Sequence, residues 1–230
     1  MLAKDIDGND GARSSDQSLL ASLEDLTVPL LADALDRLGY RHQVMSSRIR
    51  PVAAQRRAFG IAFTIQAIAC ATRPENPYET ELEATDSIPT GAMIVLSAGG
   101  AMDAGVWGEL LTTRALARGA IGAVIDGGVR DLEGIDQLGF PTFASTIHAA
   151  DSYGRVEVVS YGKSLVCGDV PVNPGDIVGA DLDGAIVVPR EIALETISEA
   201  SAKRKKERSA QQMLNDGASV EETYARHGVL

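Results

Sequence analysis

Residues 120–135 read AIGAVIDGGVRDLEGI. The apolar, β-branched run AIGAVID predicts a buried strand, and the glycines of GGVRD predict a turn. LEGIDQLG then predicts a short helix. Arg130 and Asp131 fall side by side at this strand-to-helix junction. Upstream, GAMIVLSAGG (91–100) predicts a strand and VWGELLTTRALARG a helix that stops at Gly119. Downstream, FPTFAST predicts a further strand. Residues 91–146 thus alternate strand, helix, strand, helix, strand, the rhythm of parallel βαβ units.

The flanks are different. FGIAFTIQAIA (59–69) predicts a strand, and RPENPYETELEATDSIPT predicts a loop with a short helix. After residue 146, RVEVVSYGKSLVCG, DVPVNPG and DIVGADLDGAIVVP predict short strands joined by Gly, Pro and Asn turns. LTVPLLADALDRLG predicts a helix with Thr27 as N-cap, Pro29 in its first turn and Gly39 at its stop. REIALETISEASAKRKKERSAQQMLNDG predicts a long C-terminal helix over 190–217, whose apolar positions thin out after Ile197. The expected class is α/β, with mixed sheets in a single domain over 19–230 and the C-terminal helix projecting from it. Residues 1–18 are expected to form a polar, flexible tail.

The chain has 230 residues, of which 45% are hydrophobic and 4% aromatic, so its core must be built from Ala, Val, Ile and Leu. With 32 acidic against 21 basic residues its formal charge is −11, which argues against a nucleic-acid binder. No run reaches the roughly 18 apolar residues of a membrane helix, and the N-terminus lacks the apolar region of a signal peptide. Cys70 and Cys167 read as reduced, buried thiols, which places the protein in the cytoplasm. No phosphate-binding loop, dinucleotide fingerprint, nucleophile elbow or zinc-protease motif is present. GGAMDAG (99–105) is glycine-rich but lacks the phosphate-loop lysine. His42, His148 and His227 are scattered, without partners at metal-ligand spacing.

In an open α/β sheet, ligands collect beyond the carboxyl ends of parallel strands. Two such strands here end in glycines, expected to let a ligand approach the backbone. The first N–H groups of the helix at WGELL, those of Gly108, Glu109 and Leu110, are free to hold an anion. Arg130 offers a planar fork suited to a carboxylate, and Asp131 a ligand for a hard cation such as Mg2+. The alternative is an exposed charge pair at a helix start, with Asp131 as its N-cap.

WGELLTTRALARGAIGAVIDGGVRDLEGI, followed by FPTFA and VNPGDIVGADLDGAIVVP, resembles the RraA-like family. That family includes 4-hydroxy-4-methyl-2-oxoglutarate/4-carboxy-4-hydroxy-2-oxoadipate aldolases and regulators of ribonuclease activity. The likeness runs from about Leu26 to about Gly217. It implies a swivelling β/β/α type of fold, homotrimers or homohexamers with active sites between subunits, and a class II aldolase using Mg2+ or Mn2+. By matching motif, the backbone of Glu109 and Leu110 would bind the pyruvyl carboxylate of a small oxo acid. Arg130 would contact the oxo oxygen or carboxylate, and Asp131 would hold the metal, partly through waters. The resemblance also implies oxaloacetate decarboxylation as a side activity. Many aldolase members carry an acid three positions after the aspartate, where this chain has Gly134. Glu133 is one residue early, a rotation of about 100° on a helix. Glu207, from a neighbouring subunit's C-terminal helix, is the alternative supplier of that acid. Asp103, Asp126, Asp176, Asp181 and Asp183 are further acids near strand ends, Asp176 being expected to fix a turn. Two other functions are compatible with the resemblance: a protein-binding regulator of ribonuclease activity, and a decarboxylase or dehydratase of other hydroxy acids.

Overall fold

The computed structural model describes residues 16–72 and 76–229. Most of the tail expected over 1–18 lies outside these residues; residues 16–18 open a helical segment over 16–21. The fold is mixed α/β with a mixed sheet and a long C-terminal helix, as the sequence predicts, and the sheet is nearly closed. By contacts the chain divides into two compact units. One holds the described residues up to Arg41 and from Glu191 onward; the other is His42–Arg190.

The first unit is helical. α1 (Val28–Arg37) buries Val28, Leu30, Leu31, Ala34 and Leu35, the stripe that its spacing predicts. Thr27 occupies the N-cap position with extended backbone but makes no side-chain cap bond. The long C-terminal helix runs from Ala193 to Asn215, after a single 3₁₀ turn at Arg190–Ile192. It packs on α1, and Lys203 pairs with Asp33 across that contact. A shorter helix, Val220–His227, follows it and was not expected from the sequence. Its start is a capping box: Ser219 Oγ accepts from Glu222 N, and Glu222 Oε2 accepts from Ser219 N, both at 3.1 Å.

The second unit is built on one nine-stranded sheet. Its strands are β1 (Arg50–Pro51), β2 (Ala58–Ala69), β3 (Ala92–Ser97), β4 (Gly105–Trp107), β5 (Gly122–Val129), β6 (Thr142–Ile147), β7 (Val156–Tyr161), β10 (Ile177–Asp181) and β11 (Gly184–Val188). Between β7 and β10 a separate hairpin pairs β8 (Leu165–Cys167) with β9 (Val170–Val172). The main order is β1-β6-β5-β3-β2-β10-β11, with β4 on β5 and β7 on β2. β2, β3, β5 and β6 run parallel, and the outer strands are antiparallel. The two ends of the order approach each other: Arg50 Nη1 donates to the Asp183 carbonyl at 2.9 Å, and Val44 bridges Ile186.

Both faces of the central strands are covered, so β3 and β5 are buried at every position and mostly apolar, rather than apolar at alternate positions. Ile94 and Leu96 of β3, with Ala123 and Ile125 of β5, enter one core with Trp107 and Phe140. Met93, Val95 and Val124 enter the other, with Phe143, Cys167 and Val187. Crossovers on the first face are α2 (Glu79–Asp86), α3 (Glu109–Arg118) and α4 (Leu132–Gln137).

The structure corrects the sequence expectation at two places near the junction. β5 does not end at Asp126 but continues through both glycines to Val129. Val106 and Trp107, expected in a helix, form β4 instead, alongside Gly128 and Val129. The glycines explain this. A Cβ on Gly128 would strike the Ala104 carbonyl, and one on Gly127 would lie 2.8 Å from Ala98 Cβ. Their lost side-chain volume is therefore filled by neighbouring chain, not reserved for a ligand.

Candidate active site

Adding β4 to the end of β5 fixes the Arg130–Asp131 junction. The Arg130 N–H donates to the Trp107 carbonyl at 3.0 Å. Trp107 is itself buried, and its Nε1 donates to Thr112 Oγ1 at 2.9 Å, so the start of α3 is tied to the same point. Asp131 then adopts a left-handed backbone with φ 58°, which is uncommon for a residue other than glycine. It stands at the N-cap position of α4 but makes no side-chain cap bond. The capping alternative is thus not the use to which its carboxylate is put. That carboxylate lies against Gly108, where an added Cβ would come within 2.6 Å of Asp131 Oδ2.

Gly108 is the N-cap of α3 and extended at φ −160°; the first bond into the helix is Thr112 N to Gly108 O. The N–H groups of Glu109, Leu110 and Leu111 therefore have no partner within the helix, and they carry the positive end of its dipole. Gly108, Leu110 and Leu111 at this helix start, with Arg130 and Asp131, border one cleft of about 300 Å³; Glu109, expected in the site from the sequence, does not line it. Arg130 Nη2 lies 3.2 Å from Asp151 Oδ1, and its Nε lies 3.8 Å from Asp131 Oδ2. The other Asp151 oxygen, Oδ2, accepts from the Tyr78 hydroxyl at 3.1 Å.

Glu81 of α2 borders the same cleft. Burial, and next the nearby Asp151 carboxylate, push its carboxyl up to about 7, against the opposing pull of Arg130. The Tyr78 hydroxyl is also raised, first by burial and then by its bond to Asp151. Sequence reasoning missed Glu81, Tyr78 and Asp151 as site groups. Nothing in the composition of their segments reports what they face.

The Glu109 carboxylate occupies the space that a side chain on Gly134 would need. Sequence reasoning had used only the backbone of Glu109. Glu133 is exposed on the first turn of α4. Glu207 belongs to the other unit, where it lies 3.5 Å from Lys203 one helical turn away. The remaining acids are engaged or solvated. Asp126 accepts from Ser145 Oγ (2.7 Å) and Gly168 N (2.9 Å). Asp176 fixes its turn through Asn173 N (2.8 Å) and Arg190 N (3.1 Å). Asp181 accepts from Asp183 N (2.9 Å), and Asp103 is exposed. His148 Nδ1 accepts from Ala150 N at 3.2 Å, a loop histidine.

Among the described residues no three His, Cys, Asp or Glu side chains converge as a metal cage. The donor set suits a hydrated hard cation held by one or two carboxylates, not a closed tetrahedral site. Asp131, with half of its side chain exposed, is placed for that role.

Ligands of α/β proteins collect beyond the carboxyl ends of parallel strands, and one such end here carries an arginine, a carboxylate and a helix start. The sequence model for RraA-like proteins, described as Aldolase/RraA, matches residues 28–187, and the chain belongs to this family. It is 27% identical over 202 residues to a Halalkalibacterium halodurans protein named "Putative 4-hydroxy-4-methyl-2-oxoglutarate aldolase", covering 86% of this chain and 90% of that one. It is 30% identical over 205 residues to protein DlpA of Legionella pneumophila, covering 89% of this chain but only 33% of DlpA's length. Among solved structures, Streptomyces coelicolor RraAS2, described as an unusual member of the RNase ES inhibitor RraA family, superposes with a TM-score of 0.75. There the identity is 26%, over 85% of this chain and 96% of that one. No helix among the described residues is long and apolar enough to cross a membrane.

Proposed function

We propose that this protein is a divalent-cation-dependent lyase that cleaves a 4-hydroxy-2-oxo acid, such as 4-hydroxy-4-methyl-2-oxoglutarate, to pyruvate and a second oxo acid. The observation that carries this reading is the convergence of Arg130, Asp131 and the start of α3, at Gly108, Leu110 and Leu111, on one cleft. The free N–H groups there bind the substrate's carboxylate. Arg130, anchored by Asp151, places its guanidinium where negative charge develops on the 2-oxo oxygen as the C3–C4 bond breaks. Asp131 would hold Mg2+ or Mn2+ through its carboxylate. When bound, the cation supplies Lewis-acid polarisation of the 2-oxo group. Loss of carbon dioxide from oxaloacetate leaves the same pyruvate enolate, so that activity is expected alongside. Trimers or hexamers, with Glu207 of a neighbouring subunit reaching the site, belong to this proposal.

The test is pyruvate release from 4-hydroxy-4-methyl-2-oxoglutarate and from oxaloacetate, with Mg2+, with Mn2+ and with a chelator. Release that the chelator stops and either cation restores is the expected result. Folded protein that releases no pyruvate from either acid with cation present sinks the lyase reading. The second reading, a regulator that binds a ribonuclease, is supported by the likeness to RraAS2 and would then be tested by binding.

Gly108→Ala gives a finer check. Its backbone angles are open to any residue, and the one close contact of the added methyl is with the Asp131 carboxylate, 2.6 Å from Oδ2, Arg130 Cγ lying at 3.4 Å. The cation concentration for half-maximal activity is expected to rise by about 10-fold, with the melting temperature nearly unchanged. A wild-type cation requirement in this variant would separate Asp131 from the cation.

A further inference from the structure

Of the carboxylates around the cleft, three have evident employment. Asp151 uses Oδ1 on Arg130 and Oδ2 on the Tyr78 hydroxyl. Asp131 faces Gly108 beside the helix start, and Glu109 fills the space at Gly134. Glu81 has none of these contacts. It is half-buried, comes from a different element, and borders the cleft together with Arg130 and Asp131.

We propose that Glu81 is the proton-transfer residue of this site, taking the proton of the substrate's 4-hydroxyl and returning it to C3; this rests on the lyase reading above. In the forward step the Glu81 carboxylate removes the hydroxyl proton. The freed O–H electron pair becomes the second C4–O bond, the C3–C4 bond breaks, and its pair passes through C3 to the 2-oxo oxygen. Arg130 faces the resulting negative charge. Glu81 then delivers its proton to C3. Pyruvate and the second oxo acid leave, Glu81 is again a carboxylate, and no external oxidant, reductant or proton is consumed.

The surroundings of Glu81 suit a group that must both accept and donate. Burial and Asp151 hold it near 7, so both forms are populated at neutral pH. Among the described residues, Asp151 and Arg130 are the charged groups that act on it, with the Tyr78 hydroxyl beside them. On the elements packed against α2, Arg114 of α3 turns to Asp86 at 2.6 Å, and Arg118 Nε donates to the Ile88 carbonyl at 3.1 Å. Glu157 of β7 borders a second cavity that Glu81 shares.

The deciding experiment compares two substrates in the cation-loaded full chain. Aldol cleavage needs the hydroxyl proton removed, whereas oxaloacetate loses carbon dioxide with no such proton to take. Glu81→Gln is expected to lower pyruvate release from 4-hydroxy-4-methyl-2-oxoglutarate by about 100-fold and carbon dioxide release from oxaloacetate by a clearly smaller factor, because there only the proton returned to C3 is lost. A wild-type circular-dichroism spectrum and melting temperature show that the variant is folded. Wild-type cleavage should rise with pH through the neutral range. Asp151→Asn, which removes the neighbouring like charge, should move that rise to lower pH. A wild type active on both acids, with Glu81→Gln altering both equally or neither, overturns the role of Glu81 alone. A wild type silent on both overturns the lyase reading and this role with it.

Discussion

Arg130→Ala is expected to lower the rate of pyruvate release by about 10²–10³-fold, through kcat more than KM. Arg130 is held at three points. Its N–H donates to Trp107 O (3.0 Å), Nη2 meets Asp151 (3.2 Å), and Nε faces Asp131 (3.8 Å). Even so, 37% of the side chain remains exposed to the cleft, so the fork is fixed and still reachable. A donor fixed beforehand costs little reorganisation when charge appears on the substrate oxygen, which is why its loss falls on the transition state. Arg130→Lys keeps the charge but not the planar fork that spans two acceptors, and it should recover only part of the rate. Steady-state kinetics of both variants with saturating cation decide the point. An Arg130→Ala enzyme with raised KM and unchanged kcat would show that Arg130 only binds the ground state.

The βαβ rhythm of residues 91–146 was legible because both faces of β3 and β5 are buried, and burial on both faces writes an unbroken apolar run. The Arg130–Asp131 junction was legible because a charged pair directly after such a run has few places to go. What lay beyond reach were contacts between segments distant in sequence. Nothing local to Gly127 and Gly128 says that Ala98 and Ala104 need their space, so β5 was expected to stop early and β4 to be helix. The acid at the Gly134 position was sought nearby, at Glu133, or on another subunit, at Glu207. Within the subunit, the space at Gly134 is filled by the carboxylate of Glu109, 25 positions upstream, a contact that no local pattern announces. Glu81 was invisible for a related reason. Its altered proton affinity arises from burial and from Asp151, 70 positions away, and the helix that carries it has an unremarkable polar composition. The second core face likewise depends on the β8–β9 hairpin, whose strands are each three residues long.

Trp107→Ala is expected to destabilise the His42–Arg190 unit by about 3–5 kcal/mol, lowering its melting temperature by roughly 6–20 °C. Trp107 is among the largest side chains fully buried in the protein, at 1% exposure, and it sits in the core with Ile94, Ile125 and Phe140. Truncation leaves a void where packed atoms stood, and the surrounding strands can close it only in part. The indole also donates to Thr112 Oγ1, which in turn donates to the Gly108 carbonyl at 2.9 Å. That relay ties β4 to the first turn of α3, while the Trp107 carbonyl holds the Arg130 N–H. The same residue thus supports the core and the alignment of the cleft. Trp107→Phe separates the two: it retains most of the apolar volume, loses the Nε1 donor, and should cost about 0.5–1.5 kcal/mol for that bond, besides a smaller packing loss. Because this is the protein's one tryptophan, the melts must be followed by circular dichroism rather than intrinsic tryptophan fluorescence. A melting temperature for Trp107→Ala within a degree or two of wild type would mean that the β4–β5 junction relaxes freely, and a freely relaxing junction could not hold Arg130 in place.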